Sequence, residues 1–123
     1  MQKLAVETLA AIGRMTVAAT ELEHLLAWIG ADRAGGDAAA LFAVPGEPLR
    51  AARASVDFAP PGHRELMRAY VEASATQLAQ AQTALRAMWQ ENGRRDPTIF
   101  DEIAGRLVGC TDRLHELLRS ALH

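Results

Sequence analysis

Two carboxylate–histidine pairs are the residues of this chain whose types and spacing could do chemistry. Glu21 precedes His24 by three positions, and Asp112 precedes His115 by three. In a helix, side chains at i and i+3 project from one face, and two such pairs on facing helices form the core of carboxylate-bridged di-metal sites. One hypothesis is therefore a metal-binding helical bundle whose ligands are Glu21, His24, Asp112 and His115.

The positions of these pairs on their helical wheels favour a solvated surface instead. His24 falls roughly opposite Leu22, which belongs to the apolar row of its helix, and Asp112 lies on the flank of its own helix. A di-metal bundle also needs a bridging carboxylate from each of two further helices. Only Glu65 and Glu72 are available on the next long helix. The preferred interpretation is therefore no metal and no cofactor, with the carboxylate–histidine site kept as an alternative.

The remaining histidines and the single cysteine do not form a nucleophile–base pair. His63 and His123 have no Ser, Cys or Asp placed to complete a relay with them. Cys110 lies between Leu107 and Leu114 on an apolar row, where a cysteine usually acts as a small buried apolar group. We therefore predict no catalytic residue, and whether the protein is an enzyme stays open with the balance against it.

Composition indicates a cytoplasmic bacterial protein. The 123 residues carry 13 basic and 15 acidic side chains, a net charge of −2, which makes a dedicated nucleic-acid binder unlikely. One cysteine allows no internal disulfide, and the longest apolar run, residues 38–44, is far shorter than the roughly 20 residues that span a bilayer. All basic residues except Lys3 are arginine, a usage typical of GC-rich bacterial genomes.

Helix-forming residues dominate, and no segment alternates with the period of a strand. Glycine and proline interrupt the chain at three places. They leave long helices at residues 3–29, 61–92 and from 97 onward, with short helices at 37–42 and 48–56. We expect one domain, residues 1–123, that is all-α: an antiparallel bundle of three long helices plus a short helical middle segment, similar to a four-helix bundle.

Helix ends and core rows follow from the same pattern. Gly30 is predicted as the C-terminal cap of the first helix and Asp96 as the N-cap of the last. Apolar residues at three- and four-residue steps predict the buried faces. The predicted row of the first helix is Leu4, Thr8, Ile12, Met15, Ala19, Leu22, Leu26 and Ile29, and that of the last is Ile99, Ile103, Leu107, Cys110, Leu114, Leu117 and Ala121.

The long helix after Pro61 carries two neighbouring apolar rows, although one row usually suffices to pack a helix on its own core. The second row is therefore predicted to meet another chain. A homodimer would place it against its own copy or against the last helix of the partner. The predicted interface residues are Ala75, Leu78, Gln82, Leu85, Arg86 and Trp89.

Several short stretches together resemble a group of small actinobacterial proteins that is itself similar to HEPN-type helical domains. They are Ile-Gly-Arg at 12–14, Glu-Leu-Glu-His-Leu-Leu at 21–26, Pro-Gly followed by Leu-Arg within 45–50, and a long helix ending in Trp89. The resemblance covers most of the chain. It implies an antiparallel helical bundle that commonly dimerises.

Active HEPN domains cut RNA without a metal, using an Arg and a His four to six residues later on one helix. In the group in question the stretch reads Arg-Asn, three residues, His, a small residue, any residue, Trp. Aligned on Trp89, the three positions are Ala81, Gln82 and Arg86, so the Arg and the His are both missing. The resemblance therefore implies a degenerate domain without ribonuclease activity.

These observations favour a non-catalytic protein-interaction domain, a homodimer, in a bacterial defence or regulatory system. A further protein partner encoded nearby is possible, and we expect no membrane partner. Two alternatives stay open: the carboxylate–histidine metal site, and an RNA-binding or RNA-cleaving HEPN-like protein with a rearranged site around Arg86.

Overall fold

A computed structural model of the chain describes residues 4–34, 36–90, 93 and 95–121. These residues form five helices, with a 3-10 turn at Val56–Phe58, and contain no strand, so the all-α prediction is confirmed. No helix among them has an apolar stretch that could span a membrane. The helices are α1 Val6–Ala34, α2 Ala38–Phe42, α3 Glu47–Ser55, α4 Pro61–Ala87 and α5 Pro97–Ala121.

Helix α1 is the centre of the bundle. It packs extensively on α5 and α3, whereas α4 packs mainly on α5 and touches α1 only weakly. The Thr8 hydroxyl donates to the Arg95 carbonyl at 2.7 Å, and the Arg14 guanidinium donates to the Asp101 carboxylate at 2.8 Å. Helices α1 and α5 therefore begin at the same end of the bundle, and α4 ends there, because the Arg95 guanidinium before α5 donates to the carbonyl of Met88 just after α4.

The core follows the predicted rows in part: Leu4, Ile12 and Ala19 of the predicted α1 row are only half-buried, whereas Ala11 and Ala18, which lie outside that row, are buried. Met15, Leu22 and Leu26 of α1 are fully buried, and α5 contributes buried residues from Ile103 to Leu117. Phe100 is 1% exposed, although the predicted row passed through its neighbour Ile99, which is half-buried. The side chain of Ala121, the last predicted member, lies outside the described residues.

The start of a helix was easier to predict than its end. Asp96 is the N-cap of α5, as predicted, because its carboxylate accepts a hydrogen bond from the Thr98 amide at 2.9 Å. Asp37 caps α2 in the same way through the Ala39 amide at 3.0 Å. Lys3, the predicted start of the first helix, lies outside the described residues, and α1 is helical from Val6.

The prediction that Gly30 caps α1 was wrong. Gly30 lies inside α1, which continues to Ala34. It is buried, and a Cβ atom there would lie within 2.4 Å of the Ala51 side chain and 2.9 Å of the Ala51 backbone. Glycine is therefore needed at this position because α3 packs directly on the α1 backbone.

Helix α4 is also shorter than predicted, since it ends at Ala87 rather than near residue 92. The chain leaves the helix at Met88 and continues in turns to Gln90, and residues 91 and 92 lie outside the described part. The Arg95 guanidinium donates to the Met88 carbonyl at 3.0 Å. This bond satisfies a carbonyl at the helix end that has no partner within the helix.

Candidate functional site

A cleft that we call the α4 groove lies between α1, the start of α3 and α4. Its volume is about 350 Å³. It forms because α4 packs mainly against α5 and makes little contact with α1. Met15, Ala19 and Leu49 contribute apolar walls from the other helices. Four of the six predicted interface residues line this groove: Ala75, Leu78, Gln82 and Leu85.

The other two predicted interface residues lie beyond the groove. Arg86 is exposed in the last turn of α4, and Trp89 is 51% exposed in the turn that follows, where its amide donates to the Arg86 carbonyl at 3.2 Å. No carboxylate among the described residues forms an ion pair with Arg86. The predicted row is therefore continuous along α4, but only its first part forms a concave surface.

The surface of α4 around the groove carries no charge. From residue 73 to residue 85 there is no Asp, Glu, Lys or Arg, although 23% of the chain is charged. Glu72, which pairs with Arg53 at 2.7 Å, and Arg86 bound this segment. The exposed residues within it are neutral: Thr76, Ala79, Gln80, Gln82 and Thr83. Depletion of charge is typical of the centre of a protein interface and not of an ordinary exposed helix.

Among the described residues, Glu23 is the one charged residue that lines the α4 groove. Its side chain is half-buried, and burial raises the pKa of its carboxyl group. No basic residue in the described part of the chain lies within ion-pair distance of it. Glu23 was noted in the sequence only as part of the HEPN-like pattern, and nothing in the local sequence indicated that it would share a groove with α4 residues.

Three of the four alternative metal ligands lie around a second cavity, on the other side of α1. Glu21, His24 and His115 line it, whereas Asp112 is exposed and does not. Within the described residues no three His, Cys, Asp or Glu side chains converge into a group that could hold a metal ion. The two carboxylate–histidine pairs therefore contribute residues to one cavity but form no ligand cluster within the described part of the chain.

This second cavity, the aromatic cavity, has a volume of about 740 Å³ and lies between α1, α2 and α5. Trp28 and Phe42 line it and remain 56% and 37% exposed. The His24 ring packs edge-to-face against Phe42, with ring centroids 5.4 Å apart. No sequence pattern indicated that Trp28 and Phe42 would line one cavity, because only the packing of α2 on α1 brings the two residues to it.

Helix α5 supplies the opposite wall of the aromatic cavity. Leu118 is half-buried there, and Arg119 is exposed at the rim. No carboxylate of the described residues pairs with Arg119. The Thr111 hydroxyl is buried at this wall and has no hydrogen-bond partner within the described part of the chain. The cavity thus combines apolar walls with two polar groups, Thr111 and Arg119, that have no partner among the described residues.

The remaining candidate residues do not add a reactive centre to either site. Cys110 is buried, as predicted, and only a long contact of 3.8 Å joins its sulfur to the Arg113 guanidinium. His63 is half-buried in the first turn of α4, and His123 lies outside the described residues. Comparison with known proteins adds no assignment, because no family model, curated protein or solved structure matches this chain.

Proposed function

We propose that this protein is a non-catalytic helical interaction domain that forms a homodimer through the uncharged surface of α4. The observation that carries the proposal is the absence of charge from residue 73 to residue 85 on a helix whose outer surface is exposed. Near a two-fold axis a residue meets its own copy, so any charge there would face a like charge. A neutral surface avoids this repulsion.

The side chains of this surface suit self-association for two further reasons. Glutamine both donates and accepts hydrogen bonds through its amide, so Gln82 can pair with its own copy. The small residues Ala75 and Ala79 permit close approach, while half-buried Leu78 and Leu85 supply apolar area that association would cover. The resemblance to HEPN domains, which commonly dimerise, agrees with this proposal and would place the dimer in a bacterial defence or regulatory system.

The decisive experiment compares two glutamines of the same helix. Gln82 lines the α4 groove, whereas exposed Gln80 lines neither the groove nor the aromatic cavity. At 3.6 residues per turn the two side chains point about 160° apart. We expect Gln82→Glu to weaken dimerisation at least tenfold in sedimentation equilibrium, because two like charges would then face each other, and Gln80→Glu to leave it unchanged.

A charge-reversal mixture separates a symmetric interface from simple damage. Gln82→Glu and Gln82→Lys chains should each be mainly monomeric, and their mixture should restore a heterodimer because opposite charges then meet across the interface. A wild-type chain that stays monomeric at high micromolar concentration would exclude the homodimer. Equal effects of Gln82→Glu and Gln80→Glu would move the interface away from this surface.

A further inference from the structure

We infer that the aromatic cavity between α1, α2 and α5 is a binding site for a small planar aromatic anion, such as an aromatic carboxylate or sulfonate. This function is separate from dimerisation, because the cavity and the α4 groove lie on different sides of α1. The cavity volume of about 740 Å³ lies within the range of roughly 300–1,000 Å³ that is typical of small-molecule sites.

The walls of the cavity select a flat apolar ring. Trp28 from α1 and Phe42 from α2 both line it, and large parts of both rings are exposed to water. Leu25 and Leu118 add aliphatic surface behind them. The edge-to-face contact between His24 and Phe42 shows that this space already holds aromatic packing. A ring that enters the cavity would cover apolar surface on several sides at once.

The charge at one end of the cavity selects an anion. Arg119 lines the rim and has no ion-pair partner among the described carboxylates, and its planar guanidinium can donate two parallel hydrogen bonds to a carboxylate or sulfonate. The Thr111 hydroxyl is buried without a partner in the described residues, but it lies about 12 Å from Arg119 along α5 at 1.5 Å per residue and does not contact a group bound at Arg119.

Glu21, the acidic residue that lines the aromatic cavity, lies far from Arg119. Helices α1 and α5 run in the same direction, and the Thr8–Arg95 and Arg14–Asp101 contacts share one offset of 87 residues. The same offset places Arg119 level with Asp32, which is exposed, does not line the cavity and forms no ion pair with Arg119, and about 16 Å along the axis from Glu21 at 1.5 Å per residue. Glu21 therefore does not oppose a negative group that is bound at Arg119.

The experiment uses 8-anilinonaphthalene-1-sulfonate as the anionic probe and neutral N-phenyl-1-naphthylamine as its comparison. In a Trp89→Phe background, Trp28 is the only tryptophan, and energy transfer to the probe should be stronger there than in a Trp28→Phe background if the probe lies nearer Trp28. We expect saturable transfer with one probe per chain. Arg119→Gln should weaken binding of the sulfonate at least tenfold and change binding of the neutral probe less than twofold.

Arg113→Gln is the matched control, because Arg113 is an exposed arginine of the same helix that does not line the cavity. It should leave the affinity for both probes unchanged. The proposal is overturned if Arg119→Gln and Arg113→Gln have equal effects. It is also overturned if a Trp28→Phe variant, in which only Trp89 remains, shows the stronger energy transfer, because the probe would then occupy the α4 side.

Discussion

Gly30 sets how closely α3 approaches α1. Replacing it by Ala would place a Cβ atom 2.4 Å from the Ala51 side chain and 2.9 Å from its backbone, and a backbone atom cannot move aside as a flexible side chain can. Overpacking of this kind typically costs about 1–3 kcal/mol. We expect Gly30→Ala to lower the free energy of unfolding by that amount in urea titrations.

Gly13 provides the control within the same helix. A Cβ atom there would meet nothing within 4 Å, so Gly13→Ala adds no clash and removes backbone freedom from the unfolded chain. It should raise the free energy of unfolding by about 0.5–1 kcal/mol. If both substitutions stabilise the protein, α3 does not pack on α1 as described.

Glu23 makes the stability of the protein depend on pH. Burial in the α4 groove raises the pKa of its carboxyl group above the value of about 4.3 in an unfolded chain. The folded state therefore holds this proton more tightly than the unfolded state does. The stabilisation that comes from the protonated Glu23 carboxyl group is fully present below the unfolded pKa and is lost as the pH rises through the folded pKa. We expect Glu23→Gln to be more stable than wild type at pH 7.5.

The difference between Glu23→Gln and wild type should shrink as the pH is lowered to 4, where Glu23 gains its proton. Urea midpoints at the two pH values, measured at concentrations too low for association, test this. Glu21→Gln is the control, since Glu21 is exposed two residues earlier on the same helix. A stability gain that is independent of pH, or one of equal size for Glu21→Gln, would show that burial of Glu23 is not its cause.

At the scale of the elements, local sequence predicted where helices begin and which faces they bury. Asp37 and Asp96 cap helices through hydrogen bonds within two residues, and such contacts follow from local chemistry alone. The need for glycine at position 30 depends on Ala51, twenty-one residues away. The cavity at Phe42 depends on how α2 packs on α1. Such contacts between distant segments leave no periodic signal in the sequence.

The second apolar row of α4 contains both a feature that local periodicity predicted and one that it did not. Its periodicity predicted the residues that line the α4 groove, but the same periodicity extended to Trp89, which lies in a turn beyond the end of α4. Trp89 is half-exposed and does not belong to the core formed by the described residues, so it is available to a partner chain. We expect Trp89→Ala to cost about 2 kcal/mol of association, roughly a thirtyfold loss of affinity.

Trp28→Ala is the matched control for Trp89→Ala. Both tryptophans are about half-exposed, at 56% and 51%, but Trp28 lines the aromatic cavity on the other side of α1. Sedimentation equilibrium should show an unchanged dimer for Trp28→Ala. A weaker dimer for Trp28→Ala together with an unchanged dimer for Trp89→Ala would assign the interface to the aromatic cavity.

At the scale of the whole molecule, α1 is the central helix of the bundle. It packs against each of the other four helices, and its two sides form walls of the α4 groove and of the aromatic cavity. Thr20 lines both spaces. A domain in which one helix contacts all others is expected to unfold in a single cooperative transition, without separate loss of either site.

Leu22 tests this cooperativity, because it is a fully buried leucine of α1. We expect Leu22→Ala to lower the free energy of unfolding by about 2–5 kcal/mol, with far-ultraviolet circular dichroism and tryptophan fluorescence reporting the same midpoint. Leu9→Ala, at a half-exposed position of the same helix, should change stability by less than about 0.5 kcal/mol. The proposed homodimer would stabilise only the folded state, so the proposal predicts that the unfolding midpoint of the wild type rises with protein concentration and that the midpoint of Gln82→Glu does not. Different unfolding midpoints by circular dichroism and by tryptophan fluorescence would mean that α4, which touches α1 only weakly, unfolds independently of the rest.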